Sequence, residues 1–472
     1  MDTHKARRSD SSSGVWIGLF SWGIVLGFVT LGTFGIVEFT APALAGLFFA
    51  AFGAIIFVKW ASGSPLLRDM RIFIYIGVLF WILLDPLQMR EGIAEFPNRV
   101  IAETLSYVAV FLVMVSLGYQ VSPWRGLGKL FERMEDPSDS TRAFFALAVL
   151  YAIGTIPIVY YAEGSLDTFL ETLLAGYNWD TAPGWRRGAL GSAADYFFSA
   201  CFLIYNATPF LALWLLRRAS LHPFVKVCLL WVILSVPIFY FFSGSRRLFA
   251  FMILGMMFYF YTSLPSNRRA KWRILLLPIP FLLLLAMQFQ VAFRAMGFFD
   301  ADISAVDLSI DKLHRDNIFF WFLNAVDTMP TLYPFTGEII LSDLLLHPIP
   351  RFLWPDKPVA LGYPFVDFER EGATLAISVI GQFYVAQGPL GVILVGLLFG
   401  WAARNWDQMI RNAPEGSIRS LIYYTAGVLF FVVGIRNFGE IVTQWYTIGI
   451  LVLTTYLIGR SERTGGRKAL VA

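Results

Sequence analysis

FFSGSRRLFAF (Phe241–Phe251) joins two long apolar runs, 224–242 and 247–264, through a few small polar residues and two arginines. Read as a turn, it separates two membrane crossings. Read as an interruption within one crossing, it reverses the sidedness of everything on one flank. The residues on either side decide between the two.

The chain has 472 residues, 57% of them apolar and only 15% charged, with a mean hydropathy of +0.63. A water-soluble protein of this length needs far more charge to cover its surface, so the composition predicts an all-α, polytopic membrane protein. A β-barrel is a poor match, because the segments are continuously apolar where barrel strands alternate. Apolar windows long enough to cross hydrocarbon as helices lie near 15–35, 39–59, 71–88, 99–118, 142–162, 193–216, 224–242, 247–264, 273–292, 387–403, 417–435 and 440–458, twelve in all. They form a single transmembrane domain, 1–472, with one long outer segment at 293–373.

With the amino terminus inside, the inner segments carry 24 of the 37 lysines and arginines, and each has at least three. The short outer loops hold Arg90, Arg99, Arg186, Arg187, Arg246, Arg247 and Arg436. That alternation follows the bias of basic residues toward the cytoplasmic side and predicts that both termini are cytoplasmic. Merging the runs around Phe241–Phe251 destroys it, so the stretch reads as an outer turn. Arg246 and Arg247 then sit on a turn too short to lift them from the bilayer, facing headgroups or a polar cavity.

The polar, basic opening MDTHKARRSDSSSG precedes a long apolar run with no clear small-residue cleavage site, which predicts a first crossing and not a removed signal peptide. Cys201 and Cys228 lack the spacing of a metal site or a disulfide framework.

Within 293–373, DNIFFWFLNAVDTM (316–329) predicts an amphipathic or half-buried helix lying at the outer surface. Pro348, Pro350, Pro355 and Pro358 then hold Arg351 and Lys357 on a stiff path. The following run, 372–406, is longer than one crossing needs. Its glycines divide it into a re-entrant piece, 373–386, and a true crossing from Pro389 onward, where Gly396-x-x-x-Gly400 permits close helix contact.

GSRRLF (244–249), FTGE (335–338), HPIPRFLWPDKP (347–358), GQFYVAQGPLGVILVGLLFG (381–400) and GIRNFGE (434–440) together resemble the bacterial oligosaccharide repeat-unit polymerase family, the O-antigen and exopolysaccharide polymerases. The likeness in wording is confined to about 243–440. It implies a metal-independent, inverting, glycosyltransferase-like polymerase of the bacterial inner membrane. Such an enzyme joins undecaprenyl-diphosphate-linked oligosaccharides on the periplasmic side, among membrane lipids, with chain-length regulator and export proteins as partners. Family members often carry an acid where this chain has Gln382, so no catalytic role is assigned there.

The chemistry of that transfer selects residue types. Guanidinium forks match diphosphate oxygens and stabilise the charge that grows on the leaving group, which points to Arg246, Arg247 and Arg436, with Arg351 and Lys357 from the long segment. Snorkelling to lipid phosphates, or for Arg436 pairing with Glu440, is the plainer alternative. A base for the acceptor hydroxyl is sought among the outer histidines and acids, with His314 and Glu338 chosen; the competing readings are a solvated loop histidine and a helix-start acid. Sugar rings stack on aromatics, for which the outer rim offers Trp321, Tyr333, Trp354 and Tyr363, residues that interfacial anchoring also accommodates. With no nucleotide-binding glycine loop and no zinc-type spacing, no cofactor, metal or nucleic acid is expected. Two other functions stay open. One is an O-antigen ligase, which passes glycan to lipid A-core. The other is a secondary transporter of an anionic solute, which favours paired broken helices where only 372–388 is visibly irregular.

Overall fold

The computed structural model describes residues 3–62, 66–89, 92–124, 126, 136–137, 139–174, 192–217, 221–265, 267–269, 272, 278–298, 317–337 and 376–469. Among these residues every long element is a helix. In chain order the first seven are α1 (Thr3–Thr33), α2 (Ala41–Ala61), α3 (Met70–Leu87), α4 (Asn98–Gly118), α5 (Ser140–Tyr161), α6 (Leu166–Leu174) and α7 (Ser192–Leu216). Then come α8 (Pro223–Phe242), α9 (Arg246–Thr262), α10 (Ile279–Met296) and α11 (Ile318–Thr328). The last four are α12 (Val379–Gln387), α13 (Pro389–Asn412), α14 (Ile418–Val433) and α15 (Phe438–Ala469).

Nine of the described helices are long and apolar enough to cross a membrane: α1 to α5, α7, α8, α13 and α15. The other three expected crossings coincide with α9, α10 and α14, which fall outside that set. The turn at 243–245 does separate two helices, with Gly244 at φ 75° where a side chain is disfavoured.

Short polar residues start many of these helices. Asp69 accepts from Arg71 N–H at 3.0 Å at the start of α3, and Asp139 accepts from Thr141 and Arg142 N–H at 3.0 and 3.1 Å at the start of α5. Ser378 and Ser417 do the same for α12 and α14 through Gly381 and Ser420 N–H, each at 3.1 Å. Such oxygens satisfy backbone donors that a helix start otherwise leaves unpaired.

Glycines set the tightest packing. A Cβ on Gly400 would come within 2.1 Å of the Val115 carbonyl, and one on Gly396 within 2.9 Å of the Phe111 carbonyl. The backbones of α13 and α4 therefore touch along the small-residue stripe that the sequence predicts. In the centre, α3 and α14 run in the same direction: Met70 meets Gly427, and a Cβ on Gly77 would lie 2.9 Å from the Phe431 and Val432 carbonyls. Each is interrupted by a wide π-turn, Leu79–Leu83 in α3 and Leu429–Val433 in α14. In the second, Gly434 N–H reaches back to the Leu429 carbonyl at 2.7 Å.

The division expected within 372–406 is present as a break between α12 and α13 at Gly388 (φ 64°, ψ −147°), a conformation open essentially to glycine alone. The helix expected within 316–329 is present and half-buried. One face of α11 packs among α3, α4 and α12, with Ile318, Phe319, Phe322 and Leu323 fully buried, while Asp327 is exposed. Its aromatics fill space between helices, and that burial outweighs the polarity of Asn324 and Asp327, which share one face of a short helix.

Candidate functional site

The bundle has two polar ends. At one end Asp69 accepts a bidentate pair of bonds from Arg71 at 3.0 and 2.7 Å and also contacts Lys59. Burial by itself raises the Asp69 carboxyl, but the Arg71 and Lys59 charges and their hydrogen bonds outweigh it and hold the group well below the usual carboxylate range. Asp407 joins the same end, accepting from Met70 N–H at 2.8 Å and from the Tyr119 hydroxyl. Glu415 binds Arg68, and Arg269 at 2.6 Å. Arg217 donates to the Ser263 carbonyl at 2.6 Å. All these basic residues belong to segments that the charge alternation assigns to a single side. Their carboxylate and carbonyl partners make this end a structural clasp.

The opposite end carries Arg246, Arg247 and Arg436. Arg246 and Arg247 occupy the first turn of α9, half-buried, with no acid in that turn and no side-chain cap from Ser245. Cations there oppose the positive end of the helix dipole, at a cost of about 0.3–1 kcal/mol each. The Tyr240 hydroxyl, near the end of α8, donates to Asn206. Asn206 donates in turn to Gln444 at 3.3 Å. From α10, Gln290 donates to the Tyr240 and Phe241 carbonyls, both at 2.7 Å, and so closes the last turn of α8 beneath the arginines.

Arg436 stands on the turn between α14 and α15, half-buried, its Cζ 5.8 Å from the centre of the Trp81 ring. Trp81 N–H donates to the Val432 carbonyl at 2.9 Å, so the two π-turns are joined directly below that arginine. The first turn of α12 grips the same segment. Val379 N–H donates to the Ile435 carbonyl at 2.9 Å, Gln382 Nε2 donates to Asn437 Oδ1 at 3.1 Å, and Gln382 Oε1 accepts from Phe438 N–H at 2.7 Å.

The two arginine-bearing turns lie at one level. A Cβ on Gly255 of α9 would come 3.8 Å from Thr425 Cα of α14, and the Tyr259 hydroxyl reaches the Gly416 carbonyl at 2.9 Å, so the helices are antiparallel. Nine residues back from Gly255 is Arg246, and nine on from Thr425 is Gly434, two before Arg436.

Of the sequence-selected aromatics, Trp321 and Tyr333 are half-buried and pack against the core at this end. His314, Glu338, Arg351, Lys357, Trp354 and Tyr363 lie outside the described residues. Among the described residues, no three potential metal ligands gather in one place. Sequence reasoning missed Trp81, Asn206, Gln290 and Asp85. Asp85 is 1% exposed and accepts from Phe319 N–H at 3.3 Å at the start of α11. A rule that flags any acid inside an apolar run would have found it. Nothing in the sequence marks Trp81, because its role comes from a π-turn.

Comparison with protein-family models, curated proteins and solved structures finds no match to this chain.

Proposed function

We propose that this chain is a polymerase that joins undecaprenyl-diphosphate-linked oligosaccharide repeat units into a polysaccharide. In this reading α9, α10 and α14 complete twelve crossings of a bacterial inner membrane, both termini are cytoplasmic, and the Arg246 end faces the periplasm. The observation that carries the reading is the pair Arg246–Arg247 in the first turn of α9, level with the turn of Arg436. Guanidinium groups at the positive end of a helix form a setting that attracts an anion.

A lipid diphosphate matches that need. Its oxygens accept from guanidinium forks, while the prenyl tail stays in hydrocarbon. The acceptor hydroxyl oxygen attacks the anomeric carbon of the donor sugar, and the bond from that carbon to the diphosphate breaks. The hydroxyl proton passes to a base, for which His314 and Glu338 remain the candidates. The arginines hold the charge that develops on the departing diphosphate. Trp321 and Tyr333, with Trp354 and Tyr363, supply stacking surface for the glycan. Chain-length and export proteins act on the product.

Purified protein in nanodiscs, given the lipid-linked repeat unit alone, is expected to produce a ladder of polymers. Transfer only when lipid A-core is added would identify a ligase. A transporter of an anionic solute draws support from one observation, the paired π-turns of α3 and α14 joined through Trp81. Solute flux into proteoliposomes without polymer would favour that reading.

A further inference from the structure

We infer that Gln382 is a positioning residue for Arg436, and so sets the affinity of the site for a lipid diphosphate; this rests on the reading of the site given above. Gln382 is 1% exposed, and its amide uses one donor and one acceptor on consecutive residues of the Arg436 turn, at 3.1 Å to Asn437 Oδ1 and 2.7 Å from Phe438 N–H. With Val379 N–H on the Ile435 carbonyl at 2.9 Å, α12 holds residues 435, 437 and 438, on both sides of Arg436. The grip is stiff because α12 is itself capped: Ser378 Oγ accepts from Gly381 N–H at 3.1 Å, and Gln382 N–H donates to the Ser378 carbonyl at 2.8 Å.

The partners that this chain offers at residue 382, one acceptor and one donor, suit an amide. An ionised acid accepts only, so it would lose the bond to Asn437 Oδ1. It would also put a negative charge beside the turn whose arginine is to meet an anion. A glutamine holds the turn and leaves its charge unchanged.

The test is a double-mutant cycle on equilibrium binding of undecaprenyl diphosphate to the full-length protein in nanodiscs, using wild type, Gln382→Leu, Arg436→Ala and the double variant. Gln382→Leu is expected to weaken binding about tenfold in the wild-type background and under about twofold when Arg436 is already gone. Equal weakening in both backgrounds would mean a general structural role and would overturn the inference. So would wild-type affinity in Gln382→Leu. If Arg436→Ala binds as tightly as wild type, or wild type does not bind, the reading of the site falls and the inference with it. Gln382→Met, more adaptable in packing, repeats the cycle where Gln382→Leu does not fold, and failure of both to fold contradicts a role confined to the site.

Discussion

Trp81 donates its indole N–H to the Val432 carbonyl at 2.9 Å, and each partner lies within a π-turn. Val432 lies in the last turn of α14, where helix carbonyls lack partners further along the helix, and with Arg436 N–H on the Val433 carbonyl it accepts from a neighbour. The same ring lies 5.8 Å from Arg436 Cζ. One side chain thus ties the two central helices together and supplies a face for the arginine.

Trp81→Phe keeps a ring but removes the donor and leaves a buried carbonyl unpaired. We expect a loss of about 1–3 kcal/mol in stability, read as a lower unfolding temperature in detergent. An unchanged transition would show that Val432 finds another partner.

Arg246→Ala and Arg247→Ala are expected to abolish polymer formation. Insertion and abundance of the folded protein are expected to stay intact. Loss of abundance in step with loss of polymer would mean that these arginines act as structural anchors.

How much of this was legible beforehand differs by scale. The turn at 243–245, the break at Gly388 and the Gly396–Gly400 contact follow from hydropathy and from glycine placement, both properties of short windows. The half-buried helix α11 followed too, but not which helices it packs on, because the neighbours of Phe319 and Phe322 lie far along the chain. The π-turns leave no local signature, so Trp81 was invisible, and the link from Gln382 to the Arg436 turn needed three-dimensional proximity across 55 positions. Charge alternation did sort the basic residues: Lys59, Arg68, Arg71, Arg217 and Arg269 share one end of the bundle, apart from Arg246 and Arg436.

Gly400→Val probes the backbone contact between α13 and α4. With the Val115 carbonyl only 2.1 Å from the added Cβ, the helices must separate, at a cost of about 1–3 kcal/mol or more. Lower yield and a lower unfolding temperature are expected; normal behaviour would mean that the two helices pack less closely.

Asp69→Asn tests the clasp at the other end. Leaving Lys59 and Arg71 buried beside a neutral amide should destabilise by about 3–5 kcal/mol. The Asp69 pKa is lower folded than unfolded, so its contribution is complete above the ordinary carboxylate value of about 4 and is lost as pH falls through the folded value. Wild type should therefore lose stability on acidification below about pH 4 by more than Asp69→Asn does, as followed by thermal unfolding across pH. Parallel curves would assign the acid sensitivity to other carboxylates.

The gathering of three arginines on one lipid diphosphate is best examined by an electron cryo-microscopy map of the protein in nanodiscs with undecaprenyl diphosphate added. The account predicts diphosphate density before the start of α9, within about 3 Å of guanidinium nitrogens from Arg246 or Arg247 and from Arg436. Density bound elsewhere, or guanidinium groups turned separately into the headgroup layer, would contradict it.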